Sequence, residues 1–106
     1  MENENSKSKQ KCTEWSADDK VIAYIDYSDD LETKTRFIIY FKVLNEQMRG
    51  QGVGSYLLQQ FFEKSRNEGM TNIKLRSNQR SYNFYLRLGF VQLNLEENLM
   101  IKYLYL

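Results

Sequence analysis

Three glycines in five residues, Gly50, Gly52 and Gly54, stand between an apolar run and an amphipathic one. Upstream, Arg36 to Leu44 (RFIIYFKVL) is rich in aromatic and β-branched residues and reads as a strand. Its near-continuous apolar character predicts burial on both faces, hence a central place in a sheet. Downstream, Val53, Leu57, Leu58, Phe61 and Phe62 recur at helical spacing, with Gln59, Gln60, Glu63 and Lys64 opposite. That pattern is an amphipathic helix of about four turns, with Gly69 as the residue after its C-cap. Glycine admits φ > 0 and lets a ligand approach the main chain closely. A helix starting just after such a loop points unpaired N–H groups and its positive dipole end outward. The combination is an anion site, most often one for phosphate.

The rest of the chain orders itself around this loop. Residues 1–10 (MENENSKSKQ) read as a disordered tail, polar and without periodicity. Lys11 to Ser16 reads as a short strand, residues 17–20 as a turn, and Val21 to Tyr27 as a second strand. Ser28 to Thr35 is a charged loop. After the long helix, Ile73 and Leu75 alternate with polar residues as in a strand. Ser81, Phe84, Tyr85 and Leu88 repeat as in a helix that Gly89 closes. Phe90 to Leu95 and Leu99 to Leu106 form a hairpin about Glu96-Glu97-Asn98. The strand–helix–strand unit over 36–77 requires a parallel pair, because its crossover is a helix. The expected fold is an α+β domain over residues 11–106. Its sheet is mixed and mostly antiparallel, with a central parallel strand pair and helices packed on it.

Composition narrows the chemistry. The 106 residues suit one domain, with 42% apolar residues, 27% charged residues and a net charge of +1. That balance leaves no footprint for nucleic acid or a membrane surface, and neither is expected as a partner. The chain has no histidine, which removes Ser-His-Asp and Cys-His catalysis and any His-ligated metal; no metal is expected. Cys12 is the single cysteine and is expected to be inert. No segment is long and apolar enough for a membrane span, and Met1 to Lys11 lacks the apolar core of a signal peptide. Cytoplasmic residence is the expectation.

Three ligands and one bland alternative compete for the loop. A nucleoside-triphosphate loop needs Lys-Ser/Thr after its last glycine, and here Ser55-Tyr56 follows Gly54. A dinucleotide fingerprint needs G-x-G-x-x-G, whereas these glycines fall as G-x-G-x-G after an apparent antiparallel meander. The bland alternative is a tight turn without ligand, for which three glycines are more than needed.

The third ligand comes from a resemblance. Arg49-Gly50-Gln51-Gly52-Val53-Gly54 resembles the Arg/Gln-x-x-Gly-x-Gly/Ala loop of the GNAT-superfamily N-acetyltransferases, which binds the pyrophosphate of acetyl-coenzyme A. Asn78 to Phe90 (NQRSYNFYLRLGF) resembles that family's Asn-x-x-Ala/Ser-x-x-Phe-Tyr-x-x-x-Gly-Phe segment. Both occur in the family's order, and the likeness covers about residues 11–106. Within it, Asn45 to Gly50 is similar to the histone-acetyltransferase branch, a match too short to set the substrate.

The resemblance implies roles. The amides of Gln51, Gly52, Val53, Gly54 and Ser55 hold the pyrophosphate, with Arg49 and Gly50 opening the loop. The strand before it, through Phe41, Val43 and Leu44, meets the pantetheine amides with its free edge, as a strand receives a peptide. Asn78 and Ser81 belong to the cofactor side, Asn78 as a ligand or as a helix cap. Tyr85 falls where relatives place a tyrosine near the coenzyme sulfur, as general acid for the departing thiolate. On spacing alone it is a core residue on the face of Ser81, Phe84 and Leu88, and the resemblance reverses that reading.

The implied reaction is direct attack of an amine on the thioester. Relatives often carry a glutamate base on the strand before the loop, and Arg36 to Asn45 contains no acidic residue. Asp26 and Glu32 are the nearest upstream carboxylates, and deprotonation through water is the expected route. The family usually opens with a strand and two helices that wall the acceptor site. Only the tail and a short strand precede Val21, so this member reads as N-terminally shortened, with an open acceptor side or a second copy completing it as a homodimer. Two functions follow: N-acetyl transfer to an amine of unknown type, or a non-catalytic module that binds acetyl-coenzyme A.

Overall fold

The computed structural model describes residues 10–48, 50 and 52–105. Six strands form one sheet: β1 (Gln10–Ala17), β2 (Lys20–Asp30), β3 (Thr35–Val43), β4 (Asn72–Arg76), β5 (Val91–Asn94) and β6 (Leu99–Tyr103). Two helices accompany them, α1 (Val53–Asn67) and α2 (Tyr82–Arg87), with a short 3-10 turn at Glu46–Met48. The spatial order is β1-β2-β3-β4-β6-β5, and only the β3–β4 pair is parallel. The mixed sheet with its central parallel pair is the one expected from the 36–77 unit. Residues 1–9 of the expected tail lie outside the described residues, while Gln10 already belongs to β1.

Both helices lie on one face. Leu58, Phe61 and Phe62 of α1 join Ile25, Tyr27, Ile38, Ile73, Leu75 and Met100 in one buried cluster, against which Phe84 and Tyr85 of α2 also pack. Burial of this apolar surface is the main stabilising term. The opposite face carries no helix among the described residues. This corrects the expectation that β3 is buried on both sides. Arg36 and Ile38 are buried, but Ile39 is 49% and Tyr40 48% exposed.

The charged loop expected over 28–35 is also corrected. β2 continues through Ser28, Asp29 and Asp30, which stand opposite Phe37, Arg36 and Thr35. The polar residues read as a loop, yet Asp29 turns inward and meets the Arg36 guanidinium, so the strand keeps a satisfied charge in its core. β6 likewise ends at Tyr103, short of the expected hairpin end.

Two irregularities prepare the site. Asp26 is opposite Tyr40 but Tyr27 is opposite Ile38, so Ile39 is an extra residue, a β-bulge in β3. β3 also pairs with β4 over Thr35 to Ile38 alone. From the bulge onward β3 has no strand beside it on the β4 side.

Candidate functional site

A cleft of about 620 Å³ opens where β3 leaves β4. It is lined by Tyr40, Phe41, Lys42 and Val43 of β3, by Gly50, Gly52, Gly54 and Ser55 at the start of α1, and by Phe84 and Arg87 of α2. Each wall has a local cause. Gly50 and Gly52 hold φ of 79° and 81°, a left-handed backbone that other residues adopt at a cost. Among the described residues, a Cβ on either would meet no atom within 4 Å beyond its chain neighbours. A Cβ on Gly54 would lie 3.6 Å from both Phe41 Cε2 and Phe84 Cζ, in ordinary van der Waals contact, so the start of α1, β3 and α2 converge at this position.

Gly52 is the N-cap of α1 and gives it no side-chain cap. The first intrahelical bond runs from the Tyr56 amide to the Gly52 carbonyl, at 3.0 Å. The amides of Val53, Gly54 and Ser55 precede it and have no acceptor within the helix. No acidic residue sits in the first turn of α1, and among the described residues no carboxylate lines the cleft. Arg87 lines the same space, so the electrostatics favour an anion.

The cleft unites six of the residues expected there: Phe41, Val43, Gly50, Gly52, Gly54 and Ser55. Arg49 and Gln51 lie outside the described residues. Val53 opens α1 beside them. Leu44 points elsewhere, into a hollow with Ala17, Val21 and Met48, because the β3 pleat ends at Val43. Asn78 and Ser81 cap a turn. The Ser81 amide donates to Asn78 Oδ1 at 2.9 Å, and the Asn78 amide donates to Ser81 Oγ at 3.1 Å. Asn78 lines a separate hollow with Ser77, Tyr82 and Gln92.

Tyr85 is not among the lining residues. Its ring packs edge-on between Phe84 and Phe90, with centroids 5.1 and 5.5 Å away. Burial raises its phenol above the ordinary range. The only buried side-chain polar atom left without a partner among the described residues is Asn72 Oδ1, so the Tyr85 hydroxyl is not stranded in the core. Four cleft residues were missed: Tyr40 and Lys42 of β3, neighbours of the expected Phe41 and Val43, and Phe84 and Arg87 of α2. The signal of the α2 pair was present: three apart, they share one face. Among the described residues no group of three or more Cys, Asp or Glu side chains is placed to hold a metal.

The fold agrees with that of known proteins. Residues 2–90 match the model of the acetyltransferase (GNAT) family, and the chain belongs to that family. Its fold is that of Tetrahymena GCN5, with TM-score 0.79 and 14% identity over 91% of this chain and 69% of that one. The ribosomal-protein-S18-alanine N-acetyltransferase from Escherichia coli is similar, with TM-score 0.73 and 16% identity over 95% and 72% of the two chains. The PaiA N-acetyltransferase from Thermoplasma acidophilum, solved in complex with coenzyme A, gives TM-score 0.73 and 18% identity over 89% and 60%. A search of curated protein sequences found no match. No helix among the described residues is long and apolar enough to cross a membrane.

Proposed function

We propose that the protein transfers an acetyl group from acetyl-coenzyme A to an amine by direct attack on the thioester. One observation carries it: a helix N-terminus without a side-chain cap, the part of β3 beyond its pairing with β4, and an arginine line one cleft in which no described residue places a carboxylate. A pyrophosphate-bearing ligand fits this set. The open space around Gly50 and Gly52 admits phosphate oxygens to the amides of Val53, Gly54 and Ser55. Arg87 offers a further charge-assisted donor. The edge of β3 over Ile39 to Lys42 accepts an extended amide chain as a neighbouring strand would. When bound, the coenzyme supplies the activated acetyl group.

Tyr85 is the residue proposed to return a proton to the departing thiolate. Its burial keeps the phenol protonated at neutral pH, which a proton donor requires. The absence of a carboxylate from the cleft leaves removal of the amine proton to water. The same absence favours a second function, a binding module that holds acetyl-coenzyme A without turnover.

Release of coenzyme A thiol with a panel of primary amines separates the two. An amine-dependent rate above slow hydrolysis is expected. If no amine accelerates release while acetyl-coenzyme A still binds, the transferase function is lost and the binding module stands.

A further inference from the structure

The bulge in β3 brings a second cluster to the mouth of the split. Cross-strand partners share a sheet face. Cys12, Asp26 and Tyr40 form one row across β1, β2 and β3, and Glu14, Tyr24 and Lys42 form the next. Trp15, Ile25 and Phe41 alternate with them and face the helices, so both rows lie on the face that has no helix. The Tyr24 and Tyr40 rings lie 5.8 Å apart at 43°. Tyr40 also lines the cleft, at the point where β3 parts from β4.

Asp26 is half-buried and has no ion-pair partner among the described residues. Lys42 and Glu14 flank Tyr24 in the next row, Lys42 diagonal to Asp26, and neither forms an ion pair with it. Asp26 thus brings a carboxylate without an ion-pair partner to this face. Cys12 stands beside Asp26 in this row, and burial first, then Asp26, raises its thiol. Burial first, then Tyr40, Asp26 and Cys12, raises the Tyr24 phenol.

We infer that Asp26, together with the faces of Tyr24 and Tyr40, forms the seat of a primary ammonium group, and that this ammonium belongs to the acceptor. The inference rests on the acetyl-transfer function proposed above. A carboxylate draws the charge, and two aromatic faces within about 6 Å of a bound cation add attraction. The seat opens on the face away from the helices, at the level of the bulge. An acceptor held there would reach the cleft past Tyr40, which belongs to both. Asp26 is a binding and positioning group, since deprotonation is left to water.

Amide spectra of the isotope-labelled protein test this with n-butylammonium chloride, with n-butanol and sodium chloride as controls. Saturable shifts are expected at Tyr24, Asp26 and Tyr40 with the ammonium only. Asp26→Asn should weaken them at least about fivefold, the loss of one charge-assisted contact worth about 1 kcal/mol. Tyr24→Leu should weaken them while leaving Asp26 charged. Equal shifts with n-butanol, no shifts, or shifts unchanged in Asp26→Asn overturn the seat. A parallel titration with acetyl-coenzyme A reads the amides of Gly52 to Ser55. Failure there, with the ammonium response intact, removes the transfer function but leaves the cation site. Failure of the ammonium response alone removes the seat and leaves the coenzyme cleft.

Discussion

Arg36 and Asp29 meet in a two-point ion pair inside the sheet, with Nε to Oδ1 and Nη2 to Oδ2 both at 2.8 Å. Both residues are buried, at 1% and 4% exposure. Arg36 also donates to Ser65 Oγ at 3.0 Å, pairs with Glu68 at 2.8 Å, and lies over the Tyr27 ring at 4.4 Å. One guanidinium thus ties β2 and β3 to the last turn of α1. Removing it leaves the buried Asp29 carboxylate with only the longer contact from half-exposed Lys11, at 3.4 Å. Arg36→Met should cost about 3–5 kcal/mol of unfolding free energy, while Arg36→Met with Asp29→Leu should recover most of it. Urea denaturation measures both, and a cost under about 1 kcal/mol for the single change contradicts the clasp.

The same pair sets an acid limit. Burial pushes the Asp29 carboxyl up, but the hydrogen bonds and charges of Arg36 and Lys11 outweigh it and hold the group below its ordinary range. Lys64 first, and Arg36 with it, hold Glu68 low despite partial burial. A lowered folded value stabilises above the unfolded value, about 3.9 for Asp and 4.3 for Glu, and that stability is lost as pH falls through the folded value. The urea midpoint should therefore drop from about pH 4 downward. In the Arg36→Met, Asp29→Leu double variant the drop should be shallower, and an equal drop would assign acid sensitivity elsewhere.

Gly52 separates loop conformation from ligand space. Gly52→Glu adds a side chain where no protein atom lies within 4 Å, at a φ of 81°. The backbone cost should be about 1–2 kcal/mol. Acetyl-coenzyme A affinity should fall by more than about tenfold, because a carboxylate enters the anion site. Calorimetric titration of the folded variant decides it; unchanged affinity would falsify the pyrophosphate assignment.

Arg87 offers a milder test of the same cleft. Arg87→Gln keeps the length of α2 and removes one charge from the lining. Affinity for acetyl-coenzyme A should weaken about fivefold, with stability unchanged within about 0.5 kcal/mol. The loss should shrink at high salt.

Tyr85→Phe keeps the ring that packs between Phe84 and Phe90 and removes only the hydroxyl. As the proton donor it should lower kcat about 10²-fold with coenzyme affinity unaltered. A kcat within about twofold of the wild type would make Tyr85 a packing residue alone.

Much of this was legible in the sequence because it rests on local rules. Helical spacing marked α1, and the helix between two strands required the parallel pair. The glycines marked the loop because only they adopt its backbone cheaply. The rest depends on tertiary partners. Asp29 looked like loop until Arg36 was seen across from it, seven residues away. The split between β3 and β4 depends on a one-residue bulge at Ile39, which no residue type announces. Arg87 and Phe84 line the cleft because α2 packs close to Gly54 at the start of α1, a tertiary placement.

The four-residue contact of β3 with β4 has a mechanical consequence. The sheet is two three-stranded plates, β1-β2-β3 and β4-β6-β5, riveted at one end. Near that rivet the Thr71 amide donates to the Lys34 carbonyl, and Arg66 of α1 holds the Leu104 carbonyl beyond β6. The other end is a gap with no strand bridging it. Such a body is a pair of tweezers: a small rotation at the rivet becomes a larger change of width at the tips. The span between the plates, and not charge alone, then becomes something the molecule can measure in whatever lies between them.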